Sequence, residues 1–292
     1  MAEVREKNEE ALLHLEGVTG IASSFRMRKG QLTAEPCLTA LVEKKLPTPP
    51  KGAKVPQEID AVKTDVVETG KIEALHFTYG VRPARPGFSI GHHLITAGTF
   101  GALVQDKENH DILILSNNHV LARSDLASIG DPVLQPGPYD GGTYPLHQIA
   151  TLTKMVPLSR NWNNVDAAVA KPTEMRNVIA SAIYLGIPTG VGQAYRGWWA
   201  KKVGRTTQYT IGYIYSTDAA IWVYGYPFGP ALFRDQIWTT GMLAGGDSGS
   251  LLRDYYYNRA IGLSFAGSYY YSFHNNIANV LMSLGVDMVT AL

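Results

Sequence analysis

The chain has 292 residues, 17% of them charged, and a formal net charge of +1. That balance argues against disorder and supplies no basic field able to hold a nucleic-acid backbone. A single cysteine, Cys37, excludes an internal disulfide, and no apolar run approaches the roughly 20 residues needed to span a bilayer. The N-terminus lacks the basic-then-apolar order of a secretory leader, so a cytoplasmic protein is the simplest expectation, although a removed leader would leave the same trace.

Residues 3–16 place Ala11, Leu12, Leu13 and Leu15 among charges, which predicts one amphipathic helix ended by Gly17 and Gly20. Strands are expected at Ile21–Met27, Cys37–Val42 and Ile59–Val67, with a proline-rich loop between the last two. Residues 1–76 therefore read as a small α+β leader domain. Residues 77–93, punctuated by Pro83, Pro86 and Gly87, read as a linker. From residue 94 to 292 short strands alternate with Gly, Pro, Asn and Asp. They include Gly101–Val104, Ile112–Leu115, Ala167–Ala170, Tyr209–Tyr215, Ile221–Tyr224, Leu251–Arg253 and Ala260–Phe265. This pattern predicts a mainly β domain, an antiparallel sandwich or a pair of barrels. Ile277, Val280, Leu281 and Leu284 follow helical spacing, so a C-terminal helix is expected to close the second barrel.

Three short strings carry chemistry. Gly245-Gly246-Asp247-Ser248-Gly249-Ser250 offers a serine beside glycines that let the backbone turn. A serine hydroxyl is a poor nucleophile without a base, and its oxyanion needs donors, here assigned to the N–H groups of Gly246 and Ser248. A Gly/Ser-rich hairpin would carry the same string. His119 follows the apolar run Ile112–Leu115, at a strand end from which a side chain can enter a cleft. Asp166 leads directly into an apolar strand, where an unpaired carboxylate would be costly; a strand-end turn is the bland alternative. The order His119, Asp166, Ser248 shifts the balance, because that order belongs to the chymotrypsin double barrel. The other histidines lack a supporting motif. His92 and His93 are adjacent, would face opposite ways on a strand, and have no second pair to complete a metal site, so no metal is expected. Cys37 lies outside the motifs and reads as a small buried side chain. Tyr255–Tyr257 and Tyr269–Tyr271 would each expose at least one ring on a strand.

The chain resembles the trypsin-like serine peptidases of the chymotrypsin fold, and more narrowly the bacterial and plant subfamily that includes the NARROW LEAF proteins. The matching strings run in order. They are Thr96-Ala97-Gly98-Thr99, Leu115-Ser116-Asn117-Asn118-His119-Val120, Gln135-Pro136-Gly137, Asp140-Gly141-Gly142, Val165-Asp166-Ala167-Ala168, Val203-Gly204-Arg205-Thr206-Thr207, Gly246-Asp247-Ser248-Gly249-Ser250 and Phe265-Ala266-Gly267-Ser268. The resemblance implies a double β-barrel behind a small N-terminal α+β domain, with His119 as general base, Asp166 as its orienter and Ser248 as nucleophile. It implies a peptide or protein substrate and no cofactor, and it leaves a homo-oligomer open. By the same analogy Met242 forms one wall of the substrate pocket and Ser264, Phe265 and Ala266 the other. No carboxylate stands at Met242, so a small or medium apolar side chain is expected there. One departure matters. The Asp before the nucleophile normally pairs with a freshly cut N-terminus, and no such cleavage site precedes the barrel; Arg205 is one conceivable partner for Asp247. A latent module that acts by binding alone is the competing reading.

Overall fold

The computed structural model describes residues 1–70, 72 and 77–291. His76, and with it the expected edge of the leader domain, lies outside that set. The chain forms two compact units, Met1–Leu75 and His76–Leu292.

In the first unit, helix Ala2–Leu13 buries Leu12 alone, while Ala11 and Leu13 are exposed. The helix ends earlier than its apolar pattern suggested. Gly17, at φ +79°, makes the turn, and Gly20 already lies inside strand Val18–Arg28. That strand pairs antiparallel with Gln31–Val42 around Lys29 and Gly30, both at positive φ, as a two-residue hairpin requires. Gln31–Val42 then pairs in parallel with Val62–Glu68. The strand expected at Ile59–Val67 is broken by Asp60 and Ala61, both at positive φ, which fold Glu58–Ile59 back onto it. Apolar alternation continues across the turn, so the pattern hid it. Cys37 is buried, as its small side chain suggested.

The second unit is mainly β. One sheet orders its eight strands Val286–Met288, Ala102–Asp106, Ile112–Ser116, Ala168–Pro172, Gln148–Met155, Pro132–Leu134, Ser89–His92 and Gly98–Thr99. The other orders seven: Trp162–Asn163, Ala231–Thr240, Gln208–Val223, Trp199–Gly204, Leu251–Asp254, Ala260–Gly267 and Tyr271–Asn276. Tyr271–Asn276 also pairs with Ala231–Thr240, which closes this sheet into a barrel. The expected linker is a correction. Ser89–His92 is a buried strand, and Phe77 packs on Phe88 with ring centroids 4.9 Å apart. A four-residue strand buried on both faces has no alternation to read. The C-terminal helix, Ile277–Leu284, forms where its spacing placed it. Asn276 caps it by accepting the Ala278 N–H, and Gly285 ends it at φ +67°. It does not simply close the second barrel. Ile277, Val280 and Leu281 share one core cluster with Leu113 and Leu115 of the first sheet and Leu251 and Leu263 of the second. Tyr255–Tyr257 and Tyr269–Tyr270 occupy turns rather than strands, so their rings are exposed.

Candidate active site

Strand Ile112–Ser116 ends at Asn117, whose extended backbone starts the helical turn Asn118–Leu121. His119 is therefore fixed one residue into that turn. Its ring is 26% exposed, while Asp166 is wholly buried. The His119 Nδ1–H donates to Asp166 Oδ2 at 2.6 Å, and the His119 backbone N–H donates to Oδ1 at 3.1 Å. Tyr226, which no sequence signal singled out, donates its hydroxyl to Oδ2 at 2.7 Å. Around the same aspartate, Asn117 Nδ2 donates to its carbonyl and the Asp166 N–H donates to Asn275 Oδ1. Burial alone would raise the pKa of Asp166. The His119 charge and the three donors outweigh it and hold the carboxyl below its ordinary value. Asp166 is thus a buried anion whose charge is aimed at one imidazole.

Ser248 sits on a loop seated against the first sheet. The Thr99 N–H donates to the Ser248 carbonyl at 2.7 Å. Gly249, at φ +93°, lies so close to Ser116 that a Cβ there would strike the Ser116 hydroxyl. Ser116 ends the strand that leads into the turn carrying His119, so this contact seats the Ser248 loop against that strand end. Gly246 stands at φ +100°, with space for a Cβ taken by Thr206 and Arg205. Among the described residues, the N–H groups of Gly246 and Ser248 meet no protein acceptor, as oxyanion donors require. Among the described residues the Ser248 hydroxyl reaches only the Phe265 carbonyl, at 3.5 Å, and is not hydrogen-bonded to His119.

Asp247 finds its partner inside the barrel. Oδ1 accepts the N–H groups of Thr206 and Thr207 at 2.9 and 3.1 Å. Oδ2 accepts the Thr207 hydroxyl at 2.6 Å and the Ala244 N–H at 2.9 Å, and lies 3.4 Å from Lys202 Nζ. Both charged side chains are wholly buried. Burial pulls the Lys202 pKa down and Asp247 opposes the shift. Arg205, considered from sequence as the partner, pairs with Asp140 instead through Nε and Nη2. Its backbone N–H reaches the same loop through Thr99, whose hydroxyl donates to the Gly246 carbonyl. Strand alternation was the missed signal: Lys202 shares the inward face with Ala200, and Lys201 points out.

No protein-family model and no curated protein sequence matches the chain. Solved structures do. Thermobifida fusca Protease A is 18% identical, with a TM-score of 0.51 over 71% of this chain and 100% of that one. The Nocardiopsis protease NAPase is 18% identical, with a TM-score of 0.53 over the same shares. Cellulomonas bogoriensis chymotrypsin is 18% identical, with a TM-score of 0.50 over 70% of this chain and 98% of that one. The fold is that of the chymotrypsin-like serine proteases.

Beside Ser248 this fold holds a cleft of about 1000 Å³. Trp222, Tyr224, Leu243, Ala244, Phe265 and Ala266 are among the residues that line it. Phe265 and Ala266, expected on a pocket wall, are among the residues lining this cleft. Met242 and Ser264 are corrections. Met242 is 4% exposed and packs inward with Ile214, Ile237 and Leu252. Its neighbours Leu243 and Ala244 line the cleft instead. Ser264 is buried, its hydroxyl 2.9 Å from His274 Nδ1. Among the described residues, none that lines the cleft is charged.

The placement of His92 and His93 is a further correction. Their rings lie 4.5 Å apart, and with Asp131 they form a compact group. His92 ends its strand, so the chain turns and the two side chains converge. The group does not suit a metal. The Leu94 N–H donates to His92 Nδ1, which leaves the ring proton on Nε2, where it donates to Asp131 at 3.0 Å. Neither nitrogen of His92 has a lone pair to offer. Among the described residues no helix is long and apolar enough to cross a membrane.

Proposed function

We propose that this protein is a serine endopeptidase of the NARROW LEAF-type subfamily, that Ser248 is its nucleophile, and that the reaction is confined to the second unit, His76–Leu292. The observation that carries the reading is the buried Asp166, which holds His119 through both ring and backbone N–H groups. With Nδ1 protonated toward Asp166, the lone pair of His119 is on Nε2. The Ser248 hydroxyl rotates off the Phe265 carbonyl and gives its proton to Nε2 as Oγ attacks the peptide carbonyl carbon. The resulting oxyanion takes the free N–H groups of Gly246 and Ser248. The imidazolium then protonates the departing amine, leaving an acyl-enzyme that water hydrolyses by the same relay.

The loop needs no new N-terminus in this scheme, because Lys202 and the Thr206–Thr207 backbone already hold Asp247. The uncharged cleft favours an apolar side chain before the scissile bond. Its aromatic lining and volume suit a larger one than the small or medium group expected from sequence. A panel of peptides differing at that one position tests both points. Hydrolysis after Phe, Tyr or Leu should exceed hydrolysis after Lys, Asp or Gly, and Ser248→Ala should remove at least about 10⁴-fold of it. Equal hydrolysis by wild type and Ser248→Ala would overturn the proposal.

A further inference from the structure

Tyr226 lies in the turn between strands Gln208–Val223 and Ala231–Thr240 of the second barrel, whereas Asp166 precedes Ala168–Pro172 of the first sheet. Its hydroxyl crosses from one barrel to the other and lands on Oδ2, the oxygen that also takes the His119 Nδ1–H. Its ring meets the imidazole edge-on at 6.4 Å and 77°. The ring is held in place by Phe228, stacked at 5.4 Å, and by Phe233 at 6.0 Å. Phe233 in turn packs on Phe265 at 4.8 Å, and the Phe265 carbonyl is the one partner of the Ser248 hydroxyl among the described residues. One aromatic cluster therefore touches His119 and Asp166 through Tyr226, and its member Phe265 meets Ser248 through its backbone carbonyl.

We propose that Tyr226 is a positioning residue that fixes the orientation and tempers the charge of Asp166, and through it sets the pH range in which His119 can act as base. This rests on the reading of His119, Asp166 and Ser248 as a triad. A phenylalanine would fill the same space, so packing does not explain the hydroxyl. A buried hydroxyl is costly unless bonded, and here its partner is a buried anion, the strongest acceptor available. Burial, and then the negative charge of Asp166, push the Tyr226 phenol above its ordinary pKa, so it remains a donor throughout the working range. A proton shared with Oδ2 withdraws charge from the oxygen that stabilises the imidazolium.

The ionisable groups bonded to Asp166 among the described residues are His119 and Tyr226. The other carboxylate near this turn, Asp125, is bonded to Asn118 and to the Leu158 N–H. Removing the phenolic proton donor therefore has one electrostatic consequence. Oδ2 regains full charge, the imidazolium is favoured, and activity must rise at a higher pH.

The test is Tyr226→Phe in the full chain, read by peptide hydrolysis and by proton NMR of the His119 ring. Activity at the plateau should fall about tenfold through kcat with KM nearly unchanged. The acid limb and the midpoint of the His119 ring signals should both move up by roughly half a unit to one unit. Phe228→Leu, which loosens the stack but keeps the hydroxyl, should leave the midpoint in place. An unmoved midpoint in folded Tyr226→Phe, or an equal shift in Phe228→Leu, would overturn the proposal. The NMR arm does not need turnover. A wild-type protein that fails to hydrolyse peptide or take a fluorophosphonate counts against the triad reading, while the midpoint still judges Tyr226.

Discussion

Lys202→Met removes the buried cation beside Asp247 and keeps the length of the side chain. Asp247 then retains four neutral donors, from Thr206, Ala244 and two groups of Thr207, but no counter-charge. Removing one partner of a buried ion pair typically costs about 3–5 kcal/mol, because the other charge is left buried. The four hydrogen bonds offset part of that cost, so a loss of about 2–4 kcal/mol is expected. A large share should appear as loop opening rather than global unfolding, since Asp247 can reach water by carrying Gly246 and Ser248 out of place. Reactivity of Ser248 should therefore fall at least about tenfold while the fold persists. Urea unfolding gives the stability change, and the second-order rate of fluorophosphonate labelling gives the loop change. In the double variant Lys202→Met/Asp247→Asn the stranded charge is gone, and stability should recover by about 1 kcal/mol or more. A Lys202→Met protein that labels at the wild-type rate and loses less than about 1 kcal/mol would refute the idea that this pair organises the loop.

His274 gives a pH prediction. Burial, then the charge of Lys202, push its pKa down to about 3. Between the ordinary value of roughly 6.5 and that folded value, the unfolded chain binds a proton that the folded chain does not. Stability is therefore full above about pH 6.5 and falls with decreasing pH by up to about 1.4 kcal/mol per unit from this group. Urea midpoints of wild type and His274→Asn should converge as pH falls; parallel curves would count against it. In the cleft, Leu243→Asp places a carboxylate beside the substrate side chain. It should lower kcat/KM after Phe by at least about tenfold and raise it after Lys or Arg. An unchanged ratio for matched peptides would mean that Leu243 does not face the substrate.

The pairing of His119 with Asp166 was legible where strand ends and chain order carry it. His119 and Asp166 stand at the ends of apolar strands, and their order before Ser248 matches the fold that the barrels form. The last helix was legible because four apolar residues at helical spacing lie between an asparagine cap and a glycine stop. The pocket was legible only to within one residue. Met242 and Leu243 are both apolar, and nothing in the sequence says which of two neighbours turns toward the cleft. Tyr226 was not legible at all. It sits in a Gly225-Tyr226-Pro227 turn, and its role depends on one barrel reaching the other, which local pattern does not encode. The strand Ser89–His92 was hidden for another reason: burial on both faces removes the alternation that marks a strand.

Mass-spectrometric mapping of a fluorophosphonate adduct on the folded wild-type chain tests the central claim most directly. The account predicts one adduct, on Ser248, absent in Ser248→Ala and formed much more slowly in His119→Ala. A folded protein that takes no adduct while a control protease reacts, or takes it at another residue with peptide hydrolysis surviving Ser248→Ala, would contradict it.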